Sequence, residues 1–291
     1  MKLSTPVRGA ELGSVVLFTA ALAGTVSAAD LPVRMPHTYA PIPSWTGCYL
    51  GGYVGGAWKG GDASFGDLGN SLFAAYSGGI ITPRREGQHS WYVDMDSSFP
   101  FGATVGCNWQ PVGTALVLGI EGEAGYVKLE GSGYDPLVSS VLPVAAVRTT
   151  TDVLGTAKIG NWYGMVTGRL GYAWGPVLIY FKGGAAFVPT SASILDQCSG
   201  GGCGNWLIGT SGSQTKSTAT LGGGLEWAFN YNWSVKAEYM YVGFAVHDTL
   251  TQCAVATTST GAAVPGGQFC FATDFGGIHT AKIGLNYRFG P

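Results

Sequence analysis

Residues 279–291 read HTAKIGLNYRFGP, and the alternation in this stretch decides the fold. Lys282, Gly284, Asn286 and Arg288 fall on one face of an extended strand, and Ala281, Ile283, Leu285, Tyr287 and Phe289 fall on the other. A soluble sandwich would bury the apolar face, whereas a membrane barrel would turn it outward. Composition separates the two. Charged residues make up 11% of the chain, against roughly 25% in an ordinary soluble domain, too few to keep a soluble protein of this size dispersed. Glycine, at 48 of 291 residues, is about twice its usual share.

The compartment is read from the first residues. Lys2 and Arg8 precede an apolar stretch from Leu12 to Val26, and Ser27-Ala28-Ala29 offers the small residues of a secretory cleavage site. The signal peptide is therefore placed at 1–29, with Asp30 as the mature start. That apolar stretch is shorter than the ~20 residues a spanning helix needs. Repeated prolines in DLPVRMPHTYAPIPSW (30–45) disfavour helix and sheet alike, so 30–44 reads as an extended periplasmic linker and 45–291 as the barrel. A formal net charge of −2, without a run of Lys and Arg, argues against a nucleic-acid partner.

Period-two segments occur at about 46–58, 101–110, 115–127, 162–174, 176–188, 218–229, 233–244 and 276–289. Each approaches the ~9–11 residues that cross a bilayer at a tilt. The connections alternate between long segments and the short PVGT, GP and NYN turns. This pattern predicts an all-β fold: an eight-stranded antiparallel transmembrane barrel with short periplasmic turns and four long extracellular loops, at about 59–100, 128–161, 189–217 and 245–275. The loops carry Tyr, Trp, Ser, Thr and Gly, a composition suited to an unidentified extracellular ligand.

Charge parity assigns the faces. Glu121, Glu123, Arg169, Lys182, Glu226, Lys236, Glu238, Lys282 and Arg288 point inward, while Leu118, Ile120, Val166, Leu170, Phe181, Leu221, Leu225, Ile283 and Leu285 face lipid. Trp109, Tyr126, Tyr172, Trp227, Trp233, Tyr239, Tyr241, Tyr287 and Phe289 sit near strand ends on the lipid side, where aromatic girdles belong. An eight-stranded barrel is only wide enough for side chains to fill. The inward charges therefore predict a plugged lumen. The alternative is a small porin or channel that these residues line.

Other motifs point nowhere stronger. LGGGLEW and GGYVGGAW resemble phosphate-binding loops, but no helix follows either. Cys198 and Cys203 could be half of a zinc site, yet no second pair has matching spacing. His279 is the best candidate for an esterase-like site, but its same-face neighbour is Ala281 rather than a serine. No catalytic residue, metal site or cofactor is expected. The six cysteines of an exported chain suggest pairing: Cys198 with Cys203 and Cys253 with Cys270 within loops, leaving Cys48 and Cys107 on neighbouring strands at matching depth. The alternative for that last pair is two small apolar fillers in lipid.

Several pieces together resemble the alphaproteobacterial outer-membrane immunogenic proteins, opacity-like eight-stranded barrels of the porin superfamily. They are AADLPV, SWTGCYLGGYVG, VGCNWQ, VLGIEGEAG, WYGMVTGRLGYAWG, VLIYFKGGAAF, LGGGLEWAFNYNWSVKAEYMYV and HTAKIGLNYRF, and they cover every proposed strand in order. The resemblance implies residence in outer-membrane lipid and insertion by the barrel-assembly machinery, which reads a terminal phenylalanine, here Phe289. Its members have been described as structural, pore-forming, haem-binding or host-interacting, and some other small barrels are lipid-modifying enzymes. The sequence departs from the pattern where Gly290 and Pro291 follow Phe289, and where Cys48 and Cys107 stand in place of the usual aromatics.

Overall fold

The computed structural model describes residues 44–67, 74–77, 80–83, 90–134, 150–199, 206–243, 249–258 and 261–289. The segments expected to be a signal peptide and, but for Ser44, a linker lie outside these residues, as do Gly290 and Pro291. Among the described residues the order is β1 (Gly47–Lys59), β2 (Ala63–Asp67), β3 (Ala74–Ser77), β4 (Ile80–Pro83), β5 (Ser90–Val93), β6 (Phe101–Trp109) and β7 (Leu116–Tyr134). There follow β8 (Thr150–Trp174), β9 (Val177–Ser199), β10 (Trp206–Ala228), β11 (Trp233–Gly243), β12 (Leu250–Thr258), β13 (Ala263–Asp274) and β14 (Ile278–Phe289).

Eight of these strands close a ring. The antiparallel pairing runs β1–β6–β7–β8–β9–β10–β11–β14 and returns from β14 to β1. Closure leaves no unpaired backbone edge in lipid, the condition that any sheet spanning a bilayer must meet. Local chemistry sets the short turns. Gly175, at φ +59°, starts the two-residue turn between β8 and β9, a backbone region that glycine enters without steric cost. The Asn230 carboxamide oxygen accepts from the backbone of Asn232 and Trp233, folding the turn before β11.

The exterior of this ring is apolar. Phe181, Leu221 and Ile283 are 71%, 65% and 63% exposed, values that make sense only in contact with lipid. Phe101 stacks on Tyr126, which meets Trp162 edge-on, at one rim, joined nearby by Trp58 and Tyr239 around His279. Trp109, Tyr172, Trp227, Trp233, Tyr287 and Phe289 mark the other. The residue steps from Trp162 to Tyr172 on β8, at ~3.3 Å each and a tilt of roughly 40°, span about 25 Å, the height of an outer-membrane apolar band.

Beyond the upper rim the structure corrects the loop assignment. Much of 128–161 and 189–217 is strand, because β7, β8, β9 and β10 run on for 19, 25, 23 and 23 residues. Parts of 59–100 and 245–275 are strand as well. The extension of β10 pairs with β12, then β12 with β13, β13 with β2, and β2 with β5. The chain leaving β5 returns to β7 through the Asp96 amide, 2.9 Å from the Glu130 carbonyl. A second storey thus stands on the first, outside the bilayer. Its polarity is reversed: Ala157 and Ile159 are buried inside, while Thr156 and Lys158 face out. The hinge between storeys on β8 is a bulge at Gly160 and Asn161, with φ of +98° and +122°, where the β8–β9 register shifts.

Candidate functional site

Inside the transmembrane ring lie three layers of side chains. At the periplasmic end Trp45, Val117, Leu178 and Ala228 form a small apolar floor. At the extracellular end Tyr53, Ala57, Val127, Met165, Val188, Val242 and Ile278 continue into the core of the upper storey around Phe65, Trp91 and Phe271. Between them sit the charges.

The middle layer is a connected ionic network. Lys182 on β9 approaches Glu121 at 2.6 Å and Glu238 at 2.9 Å. Lys282 on β14 reaches Glu123 at 2.7 Å and Glu238 at 3.1 Å. Arg169 on β8 pairs with Glu226 on β10, whose second oxygen accepts from Ser234 and Asn286. Lys236 on β11 meets Glu121 on β7 at 3.2 Å, and these strands lie on opposite sides of the ring. All eight side chains are buried. Charges removed from water are tolerable only when paired and hydrogen-bonded, and here four carboxylates face four cations. Glu121, Glu123 and Glu238 converge closely enough to hold a cation, but the ammonium groups of Lys182, Lys236 and Lys282 already occupy that role.

Arg288 stands apart from the network in which the sequence placed it. Its guanidinium donates to the carbonyls of Ser44 and Asn230 and lies over the Trp45 ring at 4.8 Å. The reason is depth: Arg288 is the penultimate residue of β14, at the periplasmic rim, below the level of the carboxylates.

Sequence reasoning missed the inward tyrosines. The Tyr49 hydroxyl donates to Glu121 at 2.5 Å and Tyr180 to Glu238 at 3.0 Å. Tyr163 donates to Glu123 at 2.6 Å and meets Tyr53 at 2.6 Å. Arg169 stacks 3.6 Å from the Tyr180 ring centre. Their parity, shared with the lumen charges, was the available signal. Gly106 makes room for one of them, because a Cβ there would fall 2.6 Å from the Tyr49 ring.

Cys48 and Cys107 are directly opposed on β1 and β6 and joined by a disulfide, with Cα atoms 3.9 Å apart on the lipid side. Cys253 and Cys270 are joined across β12 and β13. The Cys198–Cys203 pairing falls outside the described side chains. Phe289 ends β14, facing lipid beside Cys48. His279 is bonded to the Tyr239 hydroxyl at 2.5 Å and stacked on Trp58, within the upper girdle.

The outer membrane protein beta-barrel domain family matches residues 16–289 of the chain. The 31 kDa outer-membrane immunogenic proteins of Brucella melitensis and Brucella suis are each 29% identical to it over 289 residues, covering 95% of this chain and 99% of theirs. Among solved structures, the outer membrane protein OprG of Pseudomonas aeruginosa is similar over 84% of this chain and 97% of its own, at 10% identity and a TM-score of 0.45. The attachment invasion locus protein Ail of Yersinia pestis is similar over 84% and 99%, at 14% identity and a TM-score of 0.34.

Proposed function

The chain belongs to the outer membrane protein beta-barrel domain family and resides in the outer membrane of a Gram-negative bacterium, and from that premise we propose that it is a non-conducting barrel serving envelope structure and surface contact. The observation that carries this reading is the bond from Lys236 to Glu121 across the ring, with an apolar layer above it and another below. A channel needs a continuous column of water, and paired buried charges between two dry layers leave no path for one. The outward face of the upper storey supports the contact role. Ser132, Thr156, Ser193 and Ser211 are neighbours across four strands, and Lys158, Ser191 and Ser213 form the next row. Hydroxyls in register on a rigid sheet suit a polar extracellular ligand.

We read the protein as without enzymatic activity, since the ring nitrogen of its best-placed histidine is engaged by a tyrosine rather than by a nucleophile or a carboxylate. Its expected partners are outer-membrane lipid, the barrel-assembly machinery and that surface ligand, with no role for nucleic acid or cofactor. Planar-bilayer recording of the refolded protein tests the reading. A flat baseline is expected, and reproducible stepwise currents from the purified barrel would overturn it in favour of a small porin.

A further inference from the structure

The lipid-facing disulfide carries information about the order of assembly. Cys48 and Cys107 lie in a row of outward residues that runs Phe289, Cys48, Cys107, Ile120 across four strands. Leu50 and Val105 stand above the pair and Trp109 stands beside it toward the periplasmic rim, all exposed to lipid. A single residue, Asn108, separates Cys107 from the girdle tryptophan, which puts Cys107 roughly 5–7 Å inside that rim, while Cys48 stands opposite Phe289 of the same girdle; the bond therefore faces lipid at the girdle's inner edge. Cys253 and Cys270 are placed differently. They belong to β12 and β13, in the storey outside the bilayer, where water reaches Cys253.

Disulfide formation by exchange requires a thiolate to attack a donor disulfide. An anion forms reluctantly in hydrocarbon, and a polar or protein donor does not enter it. We propose that Cys48 and Cys107 are substrates of a disulfide-donating periplasmic oxidoreductase, and that their bond forms before the barrel inserts. One chain thiolate attacks the donor disulfide and forms a mixed disulfide; the second chain thiolate resolves it. Two electrons and two protons pass to the donor, which leaves as a dithiol. The product joins β1 to β6 at Cys48 and Cys107 across a sequence separation of 59 residues. That fixes the register of the strand on which β14 later closes the ring.

The test uses the full mature chain and oxidised glutathione as the aqueous donor. In one arm the reduced chain is folded into phospholipid vesicles and then exposed to the donor; in the other, donor is added in urea before folding. Alkylation and peptide mapping read both bonds. In the inserted barrel, Cys253–Cys270 should form while Cys48–Cys107 lags by about tenfold or more. Donor added before folding should give both. A reduced chain that fails to insert where the oxidised chain succeeds also supports the proposed order. Comparable rates for the two bonds in inserted protein would overturn it. In cells, alkylation of chain trapped in the periplasm by depletion of the assembly machinery should find Cys48–Cys107 already closed. Free thiols there, with the bond present only in the membrane fraction, would also sink the proposal.

Discussion

Lys236 on β11 lies 3.2 Å from Glu121 on β7, a contact between strands four places apart in the eight-strand ring. No pair of strands in such a ring can be further apart, so this bond spans the lumen. Its partners share their remaining capacity with Lys182 and Tyr49. The bundle of charges is therefore held from several walls at once, which ties the shape of the ring to the pairing inside it.

Arg169→Ala should cost on the order of 3–5 kcal/mol, because Glu226 stays buried after its cation is gone, with only neutral donors from Ser234 and Asn286. Glu130→Ala offers the contrast. Its carboxylate bonds Lys128 and Lys158 on the outward face, where its side chain is 43% exposed, and such pairs contribute no more than about 1 kcal/mol. Urea titration of protein folded into vesicles measures both. Equal, small losses would mean a wet lumen.

The transmembrane ring was legible in the sequence because lipid imposes one rule on every strand: apolar out, polar in. Lys282, Arg288 and Ile283 announce their faces under that rule. The upper storey obeys the opposite rule, so Thr156-Ala157-Lys158-Ile159, though period-two, carries no lipid-facing signature and reads as loop. β2 and β5, at 5 and 4 residues, are too short for periodicity to register. The inward tyrosines escaped for a related reason. Tyrosine is expected at girdles, and only its parity distinguishes Tyr49 or Tyr163 from Tyr172.

Migration in gels should be heat-modifiable. A ring with every backbone edge paired resists detergent until thermal energy opens it, so unheated protein should run as a compact species and boiled protein as an extended one. Identical mobility before and after heating would count against closure of β1 on β14.

Removing Gly290 and Pro291 should leave insertion unchanged or faster. Phe289, the last of the described residues, is paired opposite Cys48 and in edge contact with Tyr287 at 5.0 Å, so the pairing that closes the ring is in place through Phe289. Phe289→Ala should slow insertion, read as the rate at which the heat-modifiable form appears. Loss of insertion on trimming the tail alone would assign the terminal pair a role of its own.

Phe65→Ala separates the two storeys. The Phe65 ring is fully buried and stacked on Trp91 at 5.3 Å, and Trp91 meets Phe271 edge-on at 6.3 Å. Through these rings β2, β5 and β13 share one apolar centre. Truncating a buried phenylalanine costs roughly 3–5 kcal/mol, more than short strands pairing over 4 positions can recover elsewhere. Hydrogen exchange should therefore quicken in β2, β5, β12 and β13, while β1, β6, β11 and β14 keep their protection and the protein stays heat-modifiable. The ring beneath has its own closure and its own ionic layer, neither of which involves Phe65. If protection fell in both storeys together, the apolar layer shared through Tyr53 and Ile278 would be coupling them into one cooperative unit.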